Sequence, residues 1–140
     1  MLPRLRSGLR GILALFVRRP EARALAALAV EEIVANVADH GYSGREGLPI
    51  SLTMRPLGGE RFQVRVLDRA PVRDVTLIEA PDLAESARRL SPRGRGLALV
   101  RLIANSVVHR GRSGGGNALD LVFDAAVLSR IVEENFREAA

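Results

Sequence analysis

Two hydrophobic rhythms alternate along the chain. Between residues 1 and 19, Leu5, Leu9, Ile12, Leu13 and Phe16 recur every three or four positions, the spacing of one face of an α-helix. Pro20 then opens a second helical stretch, where proline is tolerated because a first-turn nitrogen has no intrahelical partner. That pattern runs to about Asp39 and is closed by Gly41. From Ile50 to Arg55 the period drops to two, I-S-L-T-M-R. After the turn Leu57-Gly58-Gly59-Glu60 it resumes from Phe62 to Asp68, F-Q-V-R-V-L-D, so the pair predicts a β-hairpin. Residues 69–95 are rich in Pro, Arg, Asp and Ser, with one short helical stretch near Asp82 to Leu90 and Asp82 as its expected N-cap. A connection of that length inside a compact domain is usually functional. A third long helix is expected from Gly96 to about Asn105. Val107 to Arg110 and Ala118 to Phe123 predict a second hairpin around Ser113-Gly114-Gly115-Gly116. In Asp124 to Glu138, Leu128, Ile131, Val132 and Phe136 share one stripe of an amphipathic helix.

The order α-α-β-β-(long loop)-α-β-β-α predicts a two-layer α/β (α+β) sandwich with a mainly antiparallel sheet, not a doubly wound parallel one. At 140 residues the chain is one domain with one sizeable core. No uncharged apolar run approaches the ~20 residues that span a bilayer, so an integral membrane protein is not expected. With no cysteine and only His40 and His109, disulfides, thiolate sites and His-rich metal sites drop out. The net charge of +5 would suit nucleic acid, but every one of the 21 basic residues is Arg. A total absence of Lys points to coding bias, the Arg residues are scattered, and at 4% aromatics there is no stacking platform. The five Arg and no acid among residues 1–19 leave two accounts of that segment. It is either a targeting or membrane-surface helix or, as its ordinary core stripe favours, the first core helix.

Four clusters could carry chemistry. Glu32, Asn36 and His40 are spaced four and four, which places them on one face of the second helix. Taken alone, they fit a solvated row at the edge of the buried arc. Asp68 ends a hydrophobic strand at the mouth of a proline loop, where a carboxylate could accept from an exocyclic amine or simply form a turn. Arg93-Gly94-Arg95-Gly96 precedes an apolar helix, so free N–H groups and the helix dipole could meet an anion, or the glycines merely loosen the start of the helix. Gly114-Gly115-Gly116-Asn117 is by itself a glycine turn feeding a strand.

In combination these segments resemble the GHKL superfamily of ATP-binding domains, most closely the small bacterial anti-sigma factor serine/threonine kinases and their regulatory relatives. E-E-I-V-A-N-V-A-D-H-G-Y at 31–42 is similar to that family's N box, residues 68–74 to its adenine-binding G1 box, and G-R-G-L-A-L-V at 94–100 to its G2 box. G-G-N-A-L-D-L resembles its closing strand, and the likeness covers roughly residues 25 to 123. The resemblance implies a four-stranded sheet with helices on one face (the Bergerat fold), an ATP lid over about 75–95, and the 124–140 helix as an addition. That helix would cover the open sheet face or form a dimer or partner surface. The family's usual first strand is not found before the N-terminal helix.

The family roles implied are these. Asn36 would coordinate Mg²⁺ bridging the phosphates of ATP, and Glu32 would be the general base. Asp68 would accept from the adenine amino group beside Ala70. Arg93, Gly94, Arg95, Gly96 and Leu97 would meet the phosphates, His40 would sit at the rim, and Asn117 would complete the cofactor site. Where the family reads Asp-x-Gly, this chain has Asp68-Arg69-Ala70, which adds a β-carbon and disfavours positive φ. The function implied is that of a cytoplasmic, ATP-dependent serine/threonine protein kinase that phosphorylates an antagonist protein and sequesters a sigma factor-like partner, and the resemblance also implies a homodimer. Two other readings are an inactive GHKL-fold binding module and a stand-alone histidine-kinase-like ATPase domain.

Overall fold

In the computed structural model of the chain, which describes residues 3–45, 47–77 and 95–136 (backbone only at 3–7, 95 and 136), α1 spans Pro3–Leu13 and α2 spans Pro20–Asn36. The N-terminal segment is therefore a core helix, with Leu9, Leu13 and the following Val17 fully buried. Ala22, Ala26, Ala27, Ala29, Val30, Ile33 and Val34 bury more than one face of α2. Small side chains let neighbouring helices come close, and α2 is the hub that α1, both later helices and the sheet touch.

The expected end of α2 at Asp39 needs correction. α-Helical bonding stops at Asn36, and Val37–Gly41 widen into one π turn, closed by the Tyr42 amide donating to the Val37 carbonyl at 2.8 Å. A π turn holds more residues per turn, so positions four apart no longer share a face.

Four strands follow the second rhythm: β1 Ile50–Gly58, β2 Arg61–Asp68, β3 Ser106–Gly111 and β4 Asn117–Asp124. They pair antiparallel in the order β1-β2-β4-β3. β1 runs past the expected Arg55 through Pro56, which an edge strand tolerates, and slips register before Gly58. α3 covers Arg95–Ile103 and α4 covers Ala125–Phe136. The expected helix at 82–90 lies outside the described residues.

Alternation splits the sheet. Phe62, Val64 and Val66 on β2 and Leu119, Leu121 and Phe123 on β4 face the helices, and with α1–α4 they make one core. Phe16, Phe62 and Phe123 stack in series with ring centroids 5.1 and 5.4 Å apart. The other sheet face is polar. Arg65 donates twice to the buried Asp120 carboxylate, at 2.8 and 3.0 Å, and Arg110 adds a third contact at 3.4 Å. α4 does not cover that face. It packs beside α2 and β4 with Leu128 and Val132 in the core, capped by Asp124 Oδ1 accepting from the Ala126 amide at 2.9 Å. Hence the architecture is a four-stranded antiparallel sheet with its helices on one face.

Candidate functional site

The register sets the site. Asp68, the last residue of β2, pairs with Asn117, the first of β4, so two polar residues far apart in sequence meet at one end of the central strands. Asp68 is buried, yet its Oδ1 accepts from the Ala70 amide and from Asn117 Nδ2, each at 2.9 Å. Asn117 in turn accepts at Oδ1 from the Arg73 amide at 2.9 Å and lies 2.7 Å from His109 Nε2. A buried polar group must be bonded, and this chain of bonds meets that demand.

The hub forms one wall of a cleft whose lining includes Ile33, Asn36, Val66, Ala70, His109 and Leu119. Asn36, Asp68, Ala70 and Asn117, expected from the sequence, are thus brought together. Their elements explain it: α2 lies over the sheet, and its last α-helical turn ends above the end of β2.

Ala70 differs from its expectation. Among the described non-glycine residues only Ser43 has positive φ, so residue 70 is not in the left-handed region and alanine is unstrained there. Its β-carbon points toward Gly41, where an added β-carbon would come within 3.0 Å of it. The methyl group that residue 70 carries is accommodated because residue 41 has none.

Glu32 lies one turn before Asn36 and faces the start of α3. A β-carbon on Gly96 would collide with its carboxylate, so this glycine serves the close approach of α3 to α2. Burial, and then the charge of Glu31, raise the Glu32 carboxyl above its ordinary value. Leu97 is half-buried, packs against the core, and lines a separate hollow with Val75, Thr76 and Val107 rather than the cleft. His40 is exposed and outside the cleft lining, because the π turn rotates it away from Asn36. Arg93, Gly94 and most of the expected lid lie outside the described residues, and of Arg95 only the backbone is described.

The sequence assigns no role to Tyr42, His109 or Arg112, which the structure places at the site. Buried Tyr42 donates from its hydroxyl to the Pro49 carbonyl and accepts from the Arg69 amide, both at 2.7 Å, which pins the loop after β2. His109 points inward from an alternating strand, as an ordinary core histidine would. The Gly114–Gly116 turn folds over the end of β2. Gly116 has φ +106°, and a β-carbon there would collide with the Asp68 carbonyl. Arg112 donates to that same carbonyl at 2.8 Å. Asp74 accepts from the Thr76 hydroxyl, which with the nearby His109 holds its carboxyl below the usual range.

For a metal, the donors are sparse. Among the described residues no group of three or more His, Cys, Asp or Glu could hold a metal ion. Asn36 offers a single neutral oxygen beside the cleft. That suits a hard cation such as Mg²⁺, which takes one or two protein oxygens and completes its shell with phosphate and water.

Comparison with known proteins agrees with this geometry. A family model described as "Histidine kinase-like ATPase domain" matches residues 1–123. The histidine kinase domain of the blue-light activated histidine kinase EL346 from Erythrobacter litoralis has a similar fold, with a TM-score of 0.55 at 18% identity. That alignment covers 81% of this chain and 49% of the other. A second structure of Erythrobacter litoralis EL346 aligns with a TM-score of 0.56 at 18% identity, over 89% of this chain and 41% of that one. The chain thus spans about half or less of the length of these kinases. No curated protein matches it.

Proposed function

Because the chain belongs to the histidine kinase-like ATPase domain family, we propose that its cleft binds ATP and that it transfers the terminal phosphoryl group to a serine or threonine hydroxyl of an antagonist protein. The observation that carries this reading is a buried carboxylate, Asp68, fixed at the wall of a cleft that Asn36 also lines. Asp68 would accept from the adenine amino group while Ile33, Val66 and Leu119 cover the ring. Asn36 would hold Mg²⁺, which supplies charge neutralisation across the phosphates. Glu32, whose carboxyl burial raises, would take the hydroxyl proton, since a base works best with a pKa nearer the working pH. In this reading the protein is cytoplasmic and also sequesters a sigma factor-like partner through its helical surface.

The similar solved structures are histidine kinases, which favours a second reading, an ATPase domain that phosphorylates a histidine of a partner. Both readings share a first test. Calorimetric titration of Mg-ATP, with and without EDTA, should show saturable binding that Asn36→Ala weakens. Absence of binding at millimolar ATP would sink both and leave a protein-binding module. Transfer from labelled ATP to candidate partners then separates them: phosphoserine and phosphothreonine survive acid, whereas phosphohistidine does not. Glu32→Gln should abolish transfer to a hydroxyl while leaving ATP binding in place.

A further inference from the structure

His109 projects from β3 toward the helices, and its side chain is 7% exposed. A buried imidazole needs a partner for each nitrogen. Nε2 lies 2.7 Å from Asn117 Oδ1, and Nδ1 faces the Asp74 carboxylate at 3.9 Å. The direction of the Asn117 bonds follows from chemistry. On the Nδ2 side stand only acceptors: Asp68 Oδ1 at 2.9 Å, the Pro71 carbonyl at 3.2 Å and the Ala70 carbonyl at 3.4 Å. On the Oδ1 side stands the Arg73 amide, which can only donate. The amide therefore cannot be flipped, Oδ1 is the acceptor, and His109 must donate from Nε2.

We propose that His109 is a positioning residue for base recognition: by donating to Asn117 it fixes the amide that aims the Asp68 carboxylate at a purine amino group. The inference rests on the ATP reading of the cleft and deepens it. The bonds run one way, from His109 to Asn117 to Asp68. Asp68 Oδ1 takes both the Asn117 amide and the Ala70 amide, so the plane of the carboxylate is set by partners on two sides. Remove the His109 donor and Asn117 Oδ1 keeps only the Arg73 amide. The amide is then held on its Oδ1 side by one bond instead of two, and the Asp68 carboxylate that its Nδ2 braces is aimed less firmly. The loss falls on reading the base, not on gripping the phosphates, which bind elsewhere.

The test compares ATP with inosine triphosphate, which carries a carbonyl where adenine has its amino group and, with it, a proton on the adjacent ring nitrogen. Dissociation constants for both are measured on the native chain and on Asp68→Asn, His109→Phe and His109→Gln. Gln retains an N–H at similar reach and Phe does not. The native chain should prefer ATP. His109→Phe should lower the ATP-to-inosine ratio about three- to tenfold, the effect of one hydrogen bond, mainly by weakening ATP, and His109→Gln should restore it. If Phe does not fold, His109→Met repeats the comparison in a smaller apolar side chain. An unchanged ratio in the apolar variants, with both nucleotides weakened alike or neither, would overturn the role of His109 while leaving the ATP site standing. A native chain that binds neither nucleotide, or shows no preference that Asp68→Asn removes, would overturn the base-reading site itself and this inference with it.

Discussion

A single missing β-carbon decides whether residue 70 can be alanine. Ala70 fits because Gly41 leaves room opposite it, and its backbone has no need of a left-handed conformation. Gly41→Ala alone should therefore destabilise the fold, and Ala70→Gly in the same chain should relieve it. A double-mutant cycle by urea denaturation should return a coupling of about 0.5–3 kcal/mol, the range for residues in contact. Ala70→Gly alone should cost about 0.4–1 kcal/mol through the added freedom of the unfolded chain, without tightening ATP binding. Gly116 has the opposite constraint, since its φ is +106° and the Asp68 carbonyl fills the space a side chain would need. Gly116→Ala should cost about 1–3 kcal/mol in strain and weaken ATP binding as well, measured by the same melts and titrations. On the open sheet face, Asp120 is buried and held by Arg65, so Asp120→Ala should cost about 1–3 kcal/mol.

At the scale of elements, most of the architecture was legible. The change of period from three-to-four to two marked the four α-helices and the four strands in their order, because amphipathic faces must meet one core. The end of β2 at Asp68 and the start of β4 near Asn117 were readable too, since one closes and the other opens an apolar run beside turn residues. What failed was any inference that assumed ideal geometry past Asn36. Spacing of four predicts a shared face only in an α-helix, and the π turn sends His40 to solvent. Tyr42 and His109 were illegible for another reason: their partners lie 27 and 8 residues away, joined by folds of the chain that no local spacing encodes. The start of α4 is more local. Asp124 caps it through two amides, so Asp124→Ala should lower stability by about 0.5–2 kcal/mol, read from the shift in the denaturation midpoint.

For the molecule as a whole, the ionisable groups pull stability in opposite directions with pH. Asp120, through its bond to Arg65, and Asp74, through the Thr76 hydroxyl, are held below the ordinary value of 3.8. Their contribution is complete above that value and is lost as pH falls through their folded values, so melting temperature should drop steeply on the acid side. Asp120→Asn should flatten that limb. Glu32, raised from 4.5, has the reverse sign: its contribution is present below that value and is lost as pH rises through its folded value. Glu32→Gln should therefore raise stability near neutral pH even as it removes transfer to a hydroxyl. The pairing of β2 with β4 has a kinetic consequence. Asp68 and Asn117 are neighbours across the sheet but 49 residues apart along the chain. The central pair of strands cannot form until that span has closed on itself, a costly step early in folding that local contacts do not reward. Folding should wait on this closure. Trimming Val64 or Leu121 should then slow folding itself, whereas trimming Leu9 in the N-terminal helix should mainly hasten unfolding, a contrast that stopped-flow chevrons would display directly.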